Sequence, residues 1–123
     1  MHLADFYTRY NNFRYGIYTE PFVPGIKLPK FPLFILVNEK SAAAAEELAF
    51  WVQNHKRALI IGQPTAGAGY GALNHQLSKR FSISISSEEE IDPITKKGFQ
   101  GTGVIPDSIT SRSCLKKENA QSE

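Results

Sequence analysis

The sequence predicts an α/β architecture made of a parallel βαβ unit and a β-hairpin. Three observations lead there. Residues 33–37 and 58–62 are unbroken apolar runs without alternation, the pattern of strands covered on both faces. Between them Ala45, Leu48, Ala49 and Val52 recur at helical spacing, on one face of an amphipathic helix. Downstream the period changes to two: Leu73, His75 and Leu77 share one face of a strand, and Phe81, Ile83 and Ile85 share one face of the next. Strand, helix and strand in that order make a right-handed crossover between parallel strands.

The elements follow in chain order. Residues 1–18 are rich in aromatics, with Phe6, Tyr7, Tyr10, Phe13, Tyr15 and Tyr18. Leu3, Phe6, Tyr7 and Tyr10 suit a short helical face, which Asn11, Asn12 and Gly16 interrupt. The segment reads as an arm packed over a hydrophobic surface, with an aromatic ligand platform as the alternative. Pro21, Pro24, Gly25, Pro29 and Pro32 then make an extended linker, because proline fixes φ and removes donors. Arm and linker occupy 1–32, a core 33–110, and a tail without apolar pattern, expected to be disordered, 111–123. Within the core, a strand over 33–38 leads through a polar turn into a helix over 42–55. His55, Lys56 and Arg57 suit its C-terminal dipole. His55 lies too far along that helix from its N-terminus to serve a site there, and reads as a capping or solvated residue.

The second strand, 58–62, runs into a glycine-dense loop, 62–71. In parallel sheets that end of a strand is where ligands bind. The loop has no Gly-Lys-Ser/Thr and no Gly-x-Gly-x-x-Gly, so a phosphate cradle finds no support. It is either a wide turn using positive φ or a ligand loop. A hairpin over 72–86 turns near Ser78 and Lys79, with His75 at the edge of the core. Glu88, Glu89 and Glu90 read as a solvated turn; no histidine or aspartate cluster joins them, so no metal and no cofactor is expected. Residues 92–103 form a loop and 104–107 a short edge segment, limited by Pro106.

Bulk properties narrow the function classes. A chain of 123 residues fits one domain. Its net charge of +2 gives no argument for nucleic acid or a membrane surface. Cys114 is the only cysteine, so no disulfide forms within the chain. No apolar run is long enough to span a bilayer. Met1 is followed by His2, Asp5 and Arg9 rather than by a basic-then-apolar export signal.

Chemistry concentrates where the first strand turns into the helix. Backbone N–H groups in the first helical turn lack intrahelical partners and can stabilise an oxyanion, so enzymes of several folds place a nucleophile at such a turn. Here the turn carries Ser41 followed by Ala42, Ala43, Ala44 and Ala45. Ser41 reads most simply as the helix N-cap, since no base is in view to activate its hydroxyl.

Three blocks, taken together, carry a resemblance. They are 37–47 (Val-Asn-Glu-Lys-Ser-Ala-Ala-Ala-Ala-Glu-Glu), 57–67 (Arg-Ala-Leu-Ile-Ile-Gly-Gln-Pro-Thr-Ala-Gly) and 101–107 (Gly-Thr-Gly-Val-Ile-Pro-Asp). In this order they resemble the C-terminal processing (tail-specific) serine peptidase family, which includes tricorn-core and retinoid-binding-protein-like members. The resemblance implies a crotonase-like ββα superhelix, as in the Clp protease subunit, of which this chain holds the C-terminal part. The family's upstream Asp-Leu-Arg-x-Asn-x-Gly-Gly-like segment and its PDZ-type domain have no counterpart here.

Carried over residue by residue, the resemblance implies mostly losses. The nucleophilic serine stands three positions before the motif glutamate, which places Ala43 there. One branch sets a lysine base in the glycine-rich turn, between positions matching Gly67 and Gly69, and here that residue is Ala68. The other branch uses an upstream histidine and an acidic residue before the last block, where Gln100 stands. The N–H of Ala44 matches one oxyanion donor. The implied function is a serine-type peptidase core acting on a peptide or protein, inactive as written. The alternative is a non-catalytic relative that binds a peptide, a partner or a small apolar ligand. An acyl-thioester enzyme of the same fold lacks support, since no adenine-binding signature is present. Bacterial members of the family work outside the cytoplasmic membrane. A fragment of such a fold is expected to leave apolar sheet surface uncovered, met either by self-association or by the aromatic arm.

Overall fold

The structure is a computed structural model and describes residues 1–110; the tail expected over 111–123 lies outside the described residues. In chain order the elements are β1 (His2–Thr8), β2 (Arg14–Tyr18), β3 (Phe34–Val37), α1 (Ala44–Asn54), β4 (Leu59–Gly62), β5 (Tyr70–Gln76), β6 (Ser82–Ile91) and β7 (Ser108–Ile109). They form a four-stranded sheet, β2-β1-β6-β5, and a three-stranded sheet, β3-β4-β7.

The two unbroken apolar runs do pair in parallel, with Phe34 opposite Leu59 and Val37 opposite Gly62. Their burial corrects the sequence reading. Only one face is covered, by α1 and the loop before β7. There Val37, Ala49, Ile60, Phe99 and Val104 make the core, with Phe50 set edge-on to Phe99 at 5.2 Å. Full burial of a side chain such as Ile60 or Phe99 contributes about 1.5–3 kcal/mol. On the other face Phe34 is 59% and Leu36 66% exposed. An unbroken run is ambiguous in this respect, because it cannot tell a doubly covered strand from one whose second apolar face awaits a cover.

The helix ends at the C-cap His55, and Lys56 takes the left-handed conformation (φ 53). Contrary to the dipole reading, Arg57 does not serve the helix end; its guanidinium donates to the carbonyls of Phe31 (3.0 Å) and Leu28 (3.2 Å) and ties down the proline-rich linker. Residues 104–107 are not an edge strand: Val104 and Pro106 are buried, and the parallel pairing with β4 comes one step later, in β7. Asp107 fixes this segment, accepting the N–H of Ile60 at 2.8 Å and the amide of Gln53 at 3.0 Å.

The antiparallel sheet departs further from the sequence reading. The expected helical face near the N-terminus is instead a hairpin of β1 and β2, whose aromatics stack across strands, as Phe6 does on Tyr15 at 5.1 Å. The arm joins β6 rather than lying over Phe34 and Leu36. The hairpin of β5 and β6 has the expected register, with Leu73 opposite Ile85 and His75 opposite Ile83, but its apolar face is largely exposed rather than half-buried. Glu88, Glu89 and Glu90 are not a turn. They continue β6 and pair with β1, because the partner strand supplies the hydrogen bonds that a carboxylate run does not by itself forbid.

Glu90 is where α1 meets this sheet. It is 2% exposed, and one of its carboxyl oxygens accepts the indole N–H of Trp51 while the other has no partner. Burial pushes its pKa up to about 7, helped by Glu47 and Asp92 and opposed by the Trp51 bond. The unfolded chain ionises this group near an ordinary glutamate value of about 4.3. Between those values the folded state holds the extra proton, so stability should fall as pH rises from about 4.3 to about 7. Glu90→Gln should flatten this slope in urea denaturation series across that range; an unchanged slope would assign it to another group.

Candidate active site

The strand-to-helix turn is strained. Ala43, the N-cap of α1, has φ 52 and ψ −125, a conformation that costs a residue with a β-carbon roughly 1–3 kcal/mol. The sequence assigned the cap to Ser41, and this is corrected: the Ser41 hydroxyl accepts the N–H of Asn38 at 3.2 Å and stabilises the preceding turn. In the first helical turn the N–H of Ala45 turns back to Ala42 and that of Glu46 to Ala43. Ala44, the first helical residue, has an N–H with no intrahelical acceptor, so it can meet an incoming carbonyl oxygen.

What holds the strained turn is Glu46, fully buried at the third helical position. One carboxylate oxygen accepts the N–H of Ala43 at 3.0 Å and that of Ala68 at 2.8 Å. The other accepts the N–H of Gly67 at 2.6 Å and the hydroxyl of Thr65. Burial drives this carboxyl up, yet the bonds from Thr65, Gly67, Ala68 and Ala43 outweigh it and hold the group below the ordinary carboxylate range. A depressed folded pKa gives stability that is present above the unfolded value and lost as pH falls through the folded one, so the turn is acid-sensitive.

The loop after β4 is locked in return by the third sequence block. Gly101 N–H donates to Gly67 at 2.8 Å, and Val104 N–H to the Thr65 hydroxyl at 2.7 Å. Gly103 has φ 70, and a β-carbon there would stand 2.3 Å from the Thr65 carbonyl oxygen, so only glycine lets the loops meet. Gln100 joins this cluster: its side-chain oxygen accepts the N–H groups of Gly69 (2.7 Å) and Tyr70 (2.9 Å).

The structure therefore brings together Ala43, Ala44, Gly67, Ala68, Gly69 and Gln100. Since Ala43 and Ala68 bond to the same oxygen, their backbone nitrogens are no further apart than those two bonds laid end to end. The Glu46 carboxylate lies between the two segments and bonds to both. A cleft of about 530 Å³ opens elsewhere, along β1 and β6, and reaches the loop at Tyr70. Glu46 was missed as a functional residue. Its one legible signal was an acid three positions after the turn, the second half of a capping box, whose reach to a loop 21 residues away leaves no local trace. His55 stays clear of the site, its ring bonded to the carbonyl of His2 at 2.9 Å.

Comparison with known proteins gives the family and the fold. Residues 3–110 match the family model of peptidase family S41. The chain is 34% identical over 89 residues to the chloroplastic carboxyl-terminal-processing peptidase 2 of Arabidopsis thaliana, covering 72% of the chain and 17% of that protein. Among solved structures, a photosystem II D1 C-terminal processing protease superposes with a TM-score of 0.60 at 30% identity, over 67% of this chain and 21% of that one. A putative S41 protease from Bacteroides fragilis superposes with a TM-score of 0.72 over 94% of this chain and 31% of that one, and at 15% identity bears on the fold alone. The chain spans about a fifth of the length of the Arabidopsis relative and the D1 processing protease.

Proposed function

Because this chain belongs to peptidase family S41, we propose that it is the C-terminal part of a serine-type peptidase core, laid out on a crotonase-like superhelix, with Ala43 at the nucleophile position and Ala68 at that of a lysine base. The observation that carries the reading is the shared Glu46 oxygen, which holds the Ala43 turn and the Ala68 loop together. The turn's strain supports it, since strained strand-to-helix turns expose nucleophiles. In this reading Ala44 supplies one oxyanion donor, Gly67 and Gly69 shape the loop, and the substrate is a peptide or protein. A methyl group cannot attack a carbonyl, so the chain as it stands should neither hydrolyse peptides nor react with a fluorophosphonate. Labelling of the unmodified chain would overturn this and point to Ser41.

One observation favours a second reading, a non-catalytic relative that binds a peptide, a partner or a small apolar ligand. The residue at the acidic position, Gln100, is an amide engaged in bracing the loop. The uncovered face around Phe34, Leu36 and Leu59 also fits self-association. Sedimentation velocity should then show a concentration-dependent dimer that Leu36→Lys abolishes; a monomer at high concentration would refute the self-association.

A further inference from the structure

The outer face of the antiparallel sheet carries one row across all its strands. Arg14 stands opposite Tyr7, Tyr7 opposite Glu89, and Glu89 opposite Tyr70. Glu90, next along β6, points the other way to Trp51. Tyr7, Glu89 and Tyr70 of this row line the cleft of about 530 Å³, together with Glu88, Ser87 and Arg9. Among the described residues Glu89 has no ion pair, and in register it stands between Tyr7 on β1 and Tyr70 on β5. One of these rings is already engaged in cation recognition, with the Arg14 guanidinium 4.6 Å from the centre of Tyr7. Tyr70 is 49% exposed and, among the described residues, has no such cation over its ring. Ser87, 5% exposed, adds a hydroxyl oxygen without a partner.

We propose that the Glu89–Tyr70 end of this cleft binds the cationic side chain, arginine or lysine, of an extended peptide. A carboxylate supplies the charge partner and the adjacent ring a π face, an arrangement that favours a desolvated cation. Arg9 also lines the cleft, its backbone N–H donating to the Ser87 carbonyl at 2.8 Å. Tyr70, which lines the cleft, directly follows Gly69 of the glycine-rich loop, and Gln100 binds the N–H groups of both. That the cation arrives on a peptide rests on the peptidase-core reading; that it is a cation does not.

The test is calorimetric titration of the chain with capped pentapeptides, Ala-Ala-X-Ala-Ala, in which X is arginine, lysine, norleucine or glutamate. Arginine and lysine should bind about tenfold more tightly than norleucine, and added salt should erode the difference. Glu89→Gln should abolish the preference, whereas Glu20→Gln, in the exposed linker, should leave it intact. Equal binding of arginine and norleucine, an indifferent Glu89→Gln, or no saturable binding at millimolar peptide would each overturn the proposal. Binding is read without turnover, so the two readings fail separately: a chain that selects arginine but never regains hydrolysis after repair of Ala43 and Ala68 sinks only the peptidase core.

Discussion

Ala43→Ser combined with Ala68→Lys should make the chain label with a fluorophosphonate, while Ala43→Ser alone should give almost nothing. A serine hydroxyl at neutral pH needs a base to take its proton. The backbone at position 68 is held on the same carboxylate oxygen as that at 43, so a lysine there starts from a nitrogen close to the nucleophile's own. Its amine must come within about 3 Å of the hydroxyl. A positioned base contributes about 10²-fold or more, so the double variant should label at least that much faster than the single one. Serine adds no backbone cost, since alanine already bears the strained conformation. Equal labelling of the two variants would remove position 68 from the site and leave the histidine branch as the ancestor.

Glu46→Ala should be the most damaging single substitution in the chain. It strands the donors of Ala43, Thr65, Gly67 and Ala68 in a buried site and releases the strained turn. Leaving a buried neutral donor unsatisfied costs about 1–3 kcal/mol for each group, against roughly 5–15 kcal/mol of total stability for a typical domain. Urea midpoints read the loss. Glu46→Gln should fall between, because the amide keeps one acceptor and turns a donor toward donors. A loss under about 1 kcal/mol for Glu46→Ala would mean that the loops hold one another without the carboxylate.

The sequence made the parallel unit legible because apolar runs and helical spacing are local patterns, and the helix from Ala44 to Asn54 fell inside the expected span. It misread what depends on partners. Leu3, Phe6, Tyr7 and Tyr10 fit a helix until β6 offers hydrogen bonds to a strand. Glu88, Glu89 and Glu90 look solvated until Trp51 meets Glu90. The positions of Ala43, Ala68 and Gln100 could be numbered from motif spacing, but their convergence on Glu46 and on the Gly69 and Tyr70 amides could not. Neither could the strain at Ala43, since alanine is no marker of positive φ.

The clamp at Glu46 has a kinetic corollary. Glu46, which holds the Ala43 turn, bonds to Gly67, 21 residues downstream of it, and that loop is held in turn by Val104, 39 residues beyond Thr65. Closing such separations costs chain entropy before any bond repays it. The site can therefore assemble only once these segments have been brought together. Substitutions there should speed unfolding while leaving the refolding rate nearly unchanged. On a ribosome, the strained turn waits unformed until Val104 has emerged.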